Sequence, residues 1–231
     1  MRKISFVSFA LFIFMCSTIL VAQPSMKEAP QGDYISSRTV NLMDDPNDYT
    51  GSPYYNEDFS KGSILANGKT IANGQIVRYN VFKEEFEIRD PRNIDSKIVK
   101  TIVRDEKIAI QINDETFEYV SSEKNKLRGY FIPLLKSEKT SLYKKITKNY
   151  IASQKAVSSM ASDVAALYKE KVEFYLIDEM GTYTALASSK KGKLKAFSAI
   201  KKQVKDYTKQ NKLNLNKEKD LIKLVNYTNT L

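Results

Sequence analysis

From residue 59 onward, apolar and polar residues alternate with a period of two. That is the spacing of a strand with one face to a core and the other to water. Residues 63–66 are followed by Asn67-Gly68 and then by residues 69–72. Both central residues of a type I′ turn need positive φ, which Asn-Gly accepts, so the stretch predicts a tight hairpin. A second Asn-Gly, at positions 73 and 74, predicts a second corner, with a longer strand over 75–82. "KEE" at 83–85 reverses the chain into 86–89, and "DPRNID" reads as a loop. "SKIVKTIVRD", "EKIAIQIND", "ETFEYVSS", "GYFIPLLKSE" and "TSLYKKITKNYI" follow. Each is short, rich in β-branched or aromatic residues, and ends in turn chemistry. Ile108, Ile110 and Ile112 share one face, and Phe117 and Tyr119 alternate in the same way.

The run "ASQKAVSSMASDVAALYKEK", 152–171, breaks this pattern and reads as an Ala/Ser-rich helix or linker. "VEFYLIDEMGTYTALAS" returns to a hairpin, turning at 178–181. The period then changes to that of a helix. Leu194, Phe197, Ile200, Val204 and Tyr207 fall on one face, and Lys201, Lys205 and Lys209 on the other. After a break at "NKLNLN", Asn216 is placed to cap a last helix, with Glu218 in its first turn and Leu221, Leu224 and Val225 inward. No repeat at solenoid periods is present. The pattern predicts an α+β fold: a curved antiparallel β-meander of about eight to ten strands, then a C-terminal helix pair packing on the sheet.

The first 58 residues follow neither period for long. Arg2 and Lys3, an apolar run from 4 to 22 and a polar continuation have the layout of a secretory signal peptide over 1–22. A membrane anchor is the other reading of that run. Cys16 raises lipidation, but Met15 precedes it where a small residue is needed, and it lies in mid-run. Cleavage after Ala22 leaves no cysteine, so an exported chain forgoes disulfides and relies on its core. Residues 23–58, with four prolines and the acidic "DDPNDYTG", predict an irregular, mostly extended leader in which only "SSRTVNL" at 37–43 holds a period. The remaining boundaries are 59–151 for the meander, 152–171 for the Ala/Ser run and 172–231 for the hairpin and helices.

Charge divides the chain. The formal net charge is +10, yet residues 1–120 hold 14 Lys+Arg against 17 Asp+Glu, and residues 121–231 hold 23 against 10. Such asymmetry points to an anionic partner on the C-terminal side. Lysine outnumbers arginine 30 to 7. Arginine is the residue for bidentate phosphate and base recognition, so the basicity implies diffuse attraction and no sequence-specific nucleic-acid binding. Lys201, Lys205 and Lys209 are the candidate contacts to an anionic surface, set against the plain reading of a solvated helix face.

The side-chain inventory excludes much chemistry. With no histidine, Ser-His and Cys-His nucleophiles and His-ligated zinc are absent. No Gly-rich phosphate loop appears, and no cofactor is expected. Carboxylate-pair hydrolysis would fall to Glu84, Glu85 and Glu87, which otherwise read as a solvated strand face. Asp44, Asp45, Asp48, Glu57 and Asp58 offer oxygen ligands for calcium, but their spacing fails the EF-hand pattern. "SPYY" and Arg78-Tyr79-Asn80 are read either as a ligand platform or as cross-strand packing.

"GSPYYNEDFSKGSILANGKTIANGQIVRYNVFKEEFEI", "GYFIPLLKSEKTSLYKKITKNY" and the stretch from "EFYLIDEMG" to "LVNYTN" resemble an exported family of uncharacterised proteins of Bacteroidetes-type bacteria. The resemblance implies a cell-envelope setting, in the periplasm, at the outer membrane or outside the cell, with no catalytic residues to carry over. The expected function is a non-enzymatic envelope binding or assembly protein, whose partner is another envelope protein or an anionic surface, with no transmembrane span after signal cleavage. The alternative is a carrier of an apolar ligand held in the curved sheet under the helices. What separates the two is whether the inner face is packed or hollow.

Overall fold

The computed structural model describes residues 34–42, 49–156 and 162–231. The expected signal peptide with Cys16, and Asp44, Asp45 and Asp48 of the acidic cluster, lie outside these. The strands are β1 (Ile35–Asn41), β2 (Tyr49–Thr50), β3 (Ser60–Ala66), β4 (Lys69–Asn80), β5 (Glu85–Arg89), β6 (Ile98–Ile102), β7 (Ile108–Ile112), β8 (Glu115–Ser122), β9 (Leu127–Leu135), β10 (Thr140–Ile151), β11 (Ala166–Asp178) and β12 (Tyr183–Ala185). The helices are α1 (Lys190–Lys195), α2 (Lys201–Gln210) and α3 (Glu218–Thr228). This is the α+β fold the alternation predicts, with one open sheet of twelve strands rather than eight to ten.

The extra strands come from segments whose own pattern is weak. β1 and β2 lie in the stretch expected to be an irregular leader, and are strands because β6 and β11 offer them edges. β11 begins inside the Ala/Ser run. From Leu167 onward each of its residues finds a partner on β10, and the described part of that run contains no helix. Ladder pairing with a long neighbour outweighs local propensity.

The sheet order is β1-β6-β5-β4-β3-β7-β8-β9-β10-β11-β12, with β2 parallel to β11. The sheet is tightly rolled. The ring of Phe86 on β5 meets that of Phe117 on β8 at 5.3 Å and that of Tyr130 on β9 at 4.8 Å, although three and four strands intervene.

The two Asn-Gly pairs build different things. Asn67 (φ 50°) and Gly68 (φ 75°) make the β3–β4 hairpin turn. Asn73-Gly74 is not a corner: β4 passes through it. Opposite Gly62 and Ile64 of β3 stand Gln75 and Ala72, so β4 carries one residue too many and bulges. Gly74 supplies the positive φ of 67°, and Asn73 Oδ1 accepts from its amide at 2.8 Å and from the Ser63 hydroxyl at 2.8 Å.

The helical end keeps its predicted apolar face but not its continuity. α1 stops at Lys195, a 3-10 turn spans Ser198–Ile200, and α2 begins at Lys201. Phe197, Val204, Leu213, Leu215, Leu221, Leu224 and Val225 are nevertheless buried against Leu142, Leu176 and Leu186 of the sheet side. Each such aliphatic or aromatic burial contributes about 1.5–3 kcal/mol. Asn216 does not cap α3. Lys217 holds that position with no side-chain bond, and Asn216 Oδ1 instead accepts from Lys193 Nζ at 3.0 Å.

Candidate anionic-partner surface

The inside of the rolled sheet is filled. Tyr79 stacks on Phe86 at 4.6 Å, and Tyr79 and Tyr130 pack edge to face at 5.4 Å. Phe86, Phe117, Tyr79 and Tyr130 are at most 2% exposed. Two pockets among the described residues open at the surface: one of about 180 Å³ beside β1, and one of about 460 Å³ lined by polar residues such as Arg104, Glu106, Lys107 and Arg128. The aromatic residues of the possible ligand platform are structural. Tyr79 is core. Tyr54 and Phe59 take the Arg78 guanidinium between their faces, at 3.6 and 4.4 Å.

The three carboxylates on and beside β5 are not a solvated strand face. Glu87 is 1% exposed and accepts twice from Arg78, at 2.7 and 3.0 Å. Glu85 is also buried, between Arg104 at 2.9 Å and Arg38. Glu84 pairs with Lys145 at 2.9 Å. A buried carboxylate remains only where a cation and hydrogen bonds replace water, so each is held in place by its arginine or lysine. Glu57 and Asp58 are exposed, and no group of three or more potential metal ligands occurs among the described residues.

A further ionic group, which alternation does not reveal, ties three parts of the fold together. Lys144 on β10 lies 2.8 Å from Glu115 on β8 and 3.2 Å from Glu218 on α3, and the Tyr55 hydroxyl also donates to Glu115. Burial works against the charge of Glu115, and the hydrogen bonds from Lys144 and Tyr55 overcome it, so its carboxyl titrates below the ordinary range. Burial likewise opposes the Lys144 charge, and its bonds to Glu115 outweigh that and raise its pKa.

The lysines of the helical cap are of two kinds. Residues 190–212 contain nine lysines and one acid, Asp206. Lys193 is buried and donates to Leu215 O at 2.9 Å and to Asn216 Oδ1, pinning α1 to the α2–α3 connection; burial lowers its pKa. The other eight are exposed. Lys201, Lys205 and Lys209 form a stripe on α2 that borders buried Val204 and Thr208, and none has an ion pair among the described residues. Both α1 and α2 open on a lysine pair with no acid in the first turn. The positive end of a helix dipole disfavours lysine there by a few tenths of a kcal/mol. These charges are therefore poorly placed for helix stability. Comparison with protein-family models, curated proteins and solved structures finds no match to this chain.

Proposed function

We propose that the protein is an exported, non-enzymatic binding or assembly protein of the cell envelope, which meets a negatively charged surface through its lysine-rich helical cap. One observation carries this reading. Lys190, Lys191, Lys201 and Lys202 stand in the first turns of two helices, neither of which holds an acid in that turn, and Lys205 and Lys209 extend the same charge along α2, with Asp206 the one acid among them. A solvated surface chosen for solubility alone mixes both signs. The packed interior favours this reading over the carrier, which needs an empty inner face. The envelope setting rests on the basic and apolar N-terminus and on the family resemblance of the strand and helix segments.

Sedimentation with vesicles tests it. The protein is expected to pellet with phosphatidylglycerol-containing vesicles and to stay in solution with neutral ones. Retention should weaken as salt shortens the screening length from about 30 Å at 0.01 M to about 8 Å at 0.15 M. Equal retention on neutral vesicles, or retention indifferent to salt, contradicts the proposal.

A further inference from the structure

β11 is thirteen residues long, and among the described residues strands pair with its outer side only toward its two ends. β2 runs beside Ala166 and Leu167, and β12 beside Tyr175, Leu176 and Ile177. Between them no strand among the described residues pairs with it. The ladder shows which main-chain groups face this gap. The amide of Leu186 donates to Phe174 O at 2.8 Å, and that of Asp178 to Thr182 O at 3.3 Å, so even-numbered residues of β11 point away from β10. The β10–β11 register has no shift, and the alternation carries back unbroken. The N–H and C=O groups of Glu170 and Val172 therefore open onto the gap.

Both ends of the gap are closed. A Cβ added to Gly51 would lie 3.0 Å from the Tyr168 carbonyl oxygen, so the chain leaving β2 is already packed there. Leu186 closes the other end through Phe174. Six steps from Tyr168 to Phe174 span roughly 20 Å at about 3.3 Å each, room for an extended segment of about five residues. A second copy of β11 is too long to enter without striking β2 and β12.

The side chains along the gap divide by face. On one, Tyr168 is the centre of an aromatic group, 4.8 Å from Tyr49, 5.3 Å from Phe82 and 5.2 Å from Tyr150. Phe82 and Tyr150 are 44% and 45% exposed, and Val172, 44% exposed, stands on the same face beyond Glu170, which pairs with Lys148 at 3.6 Å. On the other face stand exposed Lys169 and Lys171; Lys171 pairs with Glu173 at 2.8 Å, and Lys169 has no ion pair among the described residues.

We infer that this gap takes an extended segment of another protein, about five residues long, by strand addition. Its main chain bonds to Glu170 and Val172, its apolar side chains lie toward Tyr168 and Val172, and its acidic ones lie toward Lys169 and Lys171. This surface is distinct from the lysine cap and does not rest on the function proposed above.

Amide exchange followed by NMR on the full chain tests it, with the five-residue peptide Ac-Val-Glu-Val-Glu-Val-NH2 as probe. In the free protein the Glu170 and Val172 amides are expected to exchange freely, while those of Lys169 and Lys171 are held by β10. The peptide is expected to slow Glu170 and Val172 by about tenfold or more, and a block-ordered peptide of the same composition is not. Val172→Pro removes a donor that faces the gap and leaves the bonds to β10 in place. It is expected to abolish the peptide's effect while Lys171 stays protected. Protection of Glu170 and Val172 in the free chain, no slowing at millimolar peptide, or an effect that survives Val172→Pro overturns the inference.

Discussion

At the scale of single residues, the fold depends on buried charges that the strand pattern does not announce. Arg78 holds Glu87, stacks on Tyr54 and Phe59, and donates to Glu57 O at 3.1 Å. Removing it leaves Glu87 buried without a cation, so Arg78→Ala is expected to cost about 3–5 kcal/mol in denaturant unfolding. Lysine should not restore the loss, because a point charge cannot replace a planar group between two rings. Glu115 gives the fold a pH dependence. Its folded pKa lies below the ordinary value of 4.5, so its contribution is present above that value and is lost as pH falls through the lower, folded one. Unfolding temperatures measured from pH 6 to pH 2 are expected to fall less steeply for Glu115→Gln than for the parent below about pH 4.5. An identical acid limb in the two proteins contradicts the assignment. These roles were hidden because charged residues on a strand read as solvent-facing by default. Ladder order brings Arg104, just past β6, and Arg38 on β1 to Glu85, and only the rolling of the sheet brings Lys145 on β10 to Glu84.

At the scale of elements, most strands and the inward helix faces were legible, because alternation and helical spacing report directly on burial. What was not legible depended on partners. The twin Asn-Gly pairs are locally equivalent, and only the register of β3 against β4 makes one a turn and the other a bulge. The strand in the Ala/Ser run and the short strands of the leader exist because a neighbouring edge accepts them. Glycines separate local cost from packing cost. At Gly74 nothing lies within 4 Å of an added Cβ, so Gly74→Ala pays only for its positive φ, about 1 kcal/mol. At Gly129, with φ of 124°, the Cβ meets the Glu84 carboxylate, which must leave Lys145. Gly129→Ala is expected to cost about 3 kcal/mol or more. Thermal unfolding of the two variants side by side checks the order, and a smaller loss at Gly129 contradicts it.

At the scale of the whole molecule, a rolled sheet with a filled interior carries a cap of eight exposed lysines at one end of the sequence. The fold class was readable from the change of period along the chain. The filled interior was not, because alternation says which residues face inward but not how tightly the sheet curls around them. The lysine stripe was readable as spacing. Its lack of ion pairs among the described residues, and the structural use of Lys193, needed the folded chain. Near an anionic surface each lysine contributes about 1 kcal/mol, and three together correspond to a factor on the order of 100 in affinity. The most direct measurement is therefore vesicle binding by the triple variant Lys201→Glu, Lys205→Glu, Lys209→Glu beside the parent, with circular dichroism showing both folded. Affinity for phosphatidylglycerol vesicles is expected to fall by roughly 100-fold or more. Unchanged affinity in a folded triple variant contradicts it.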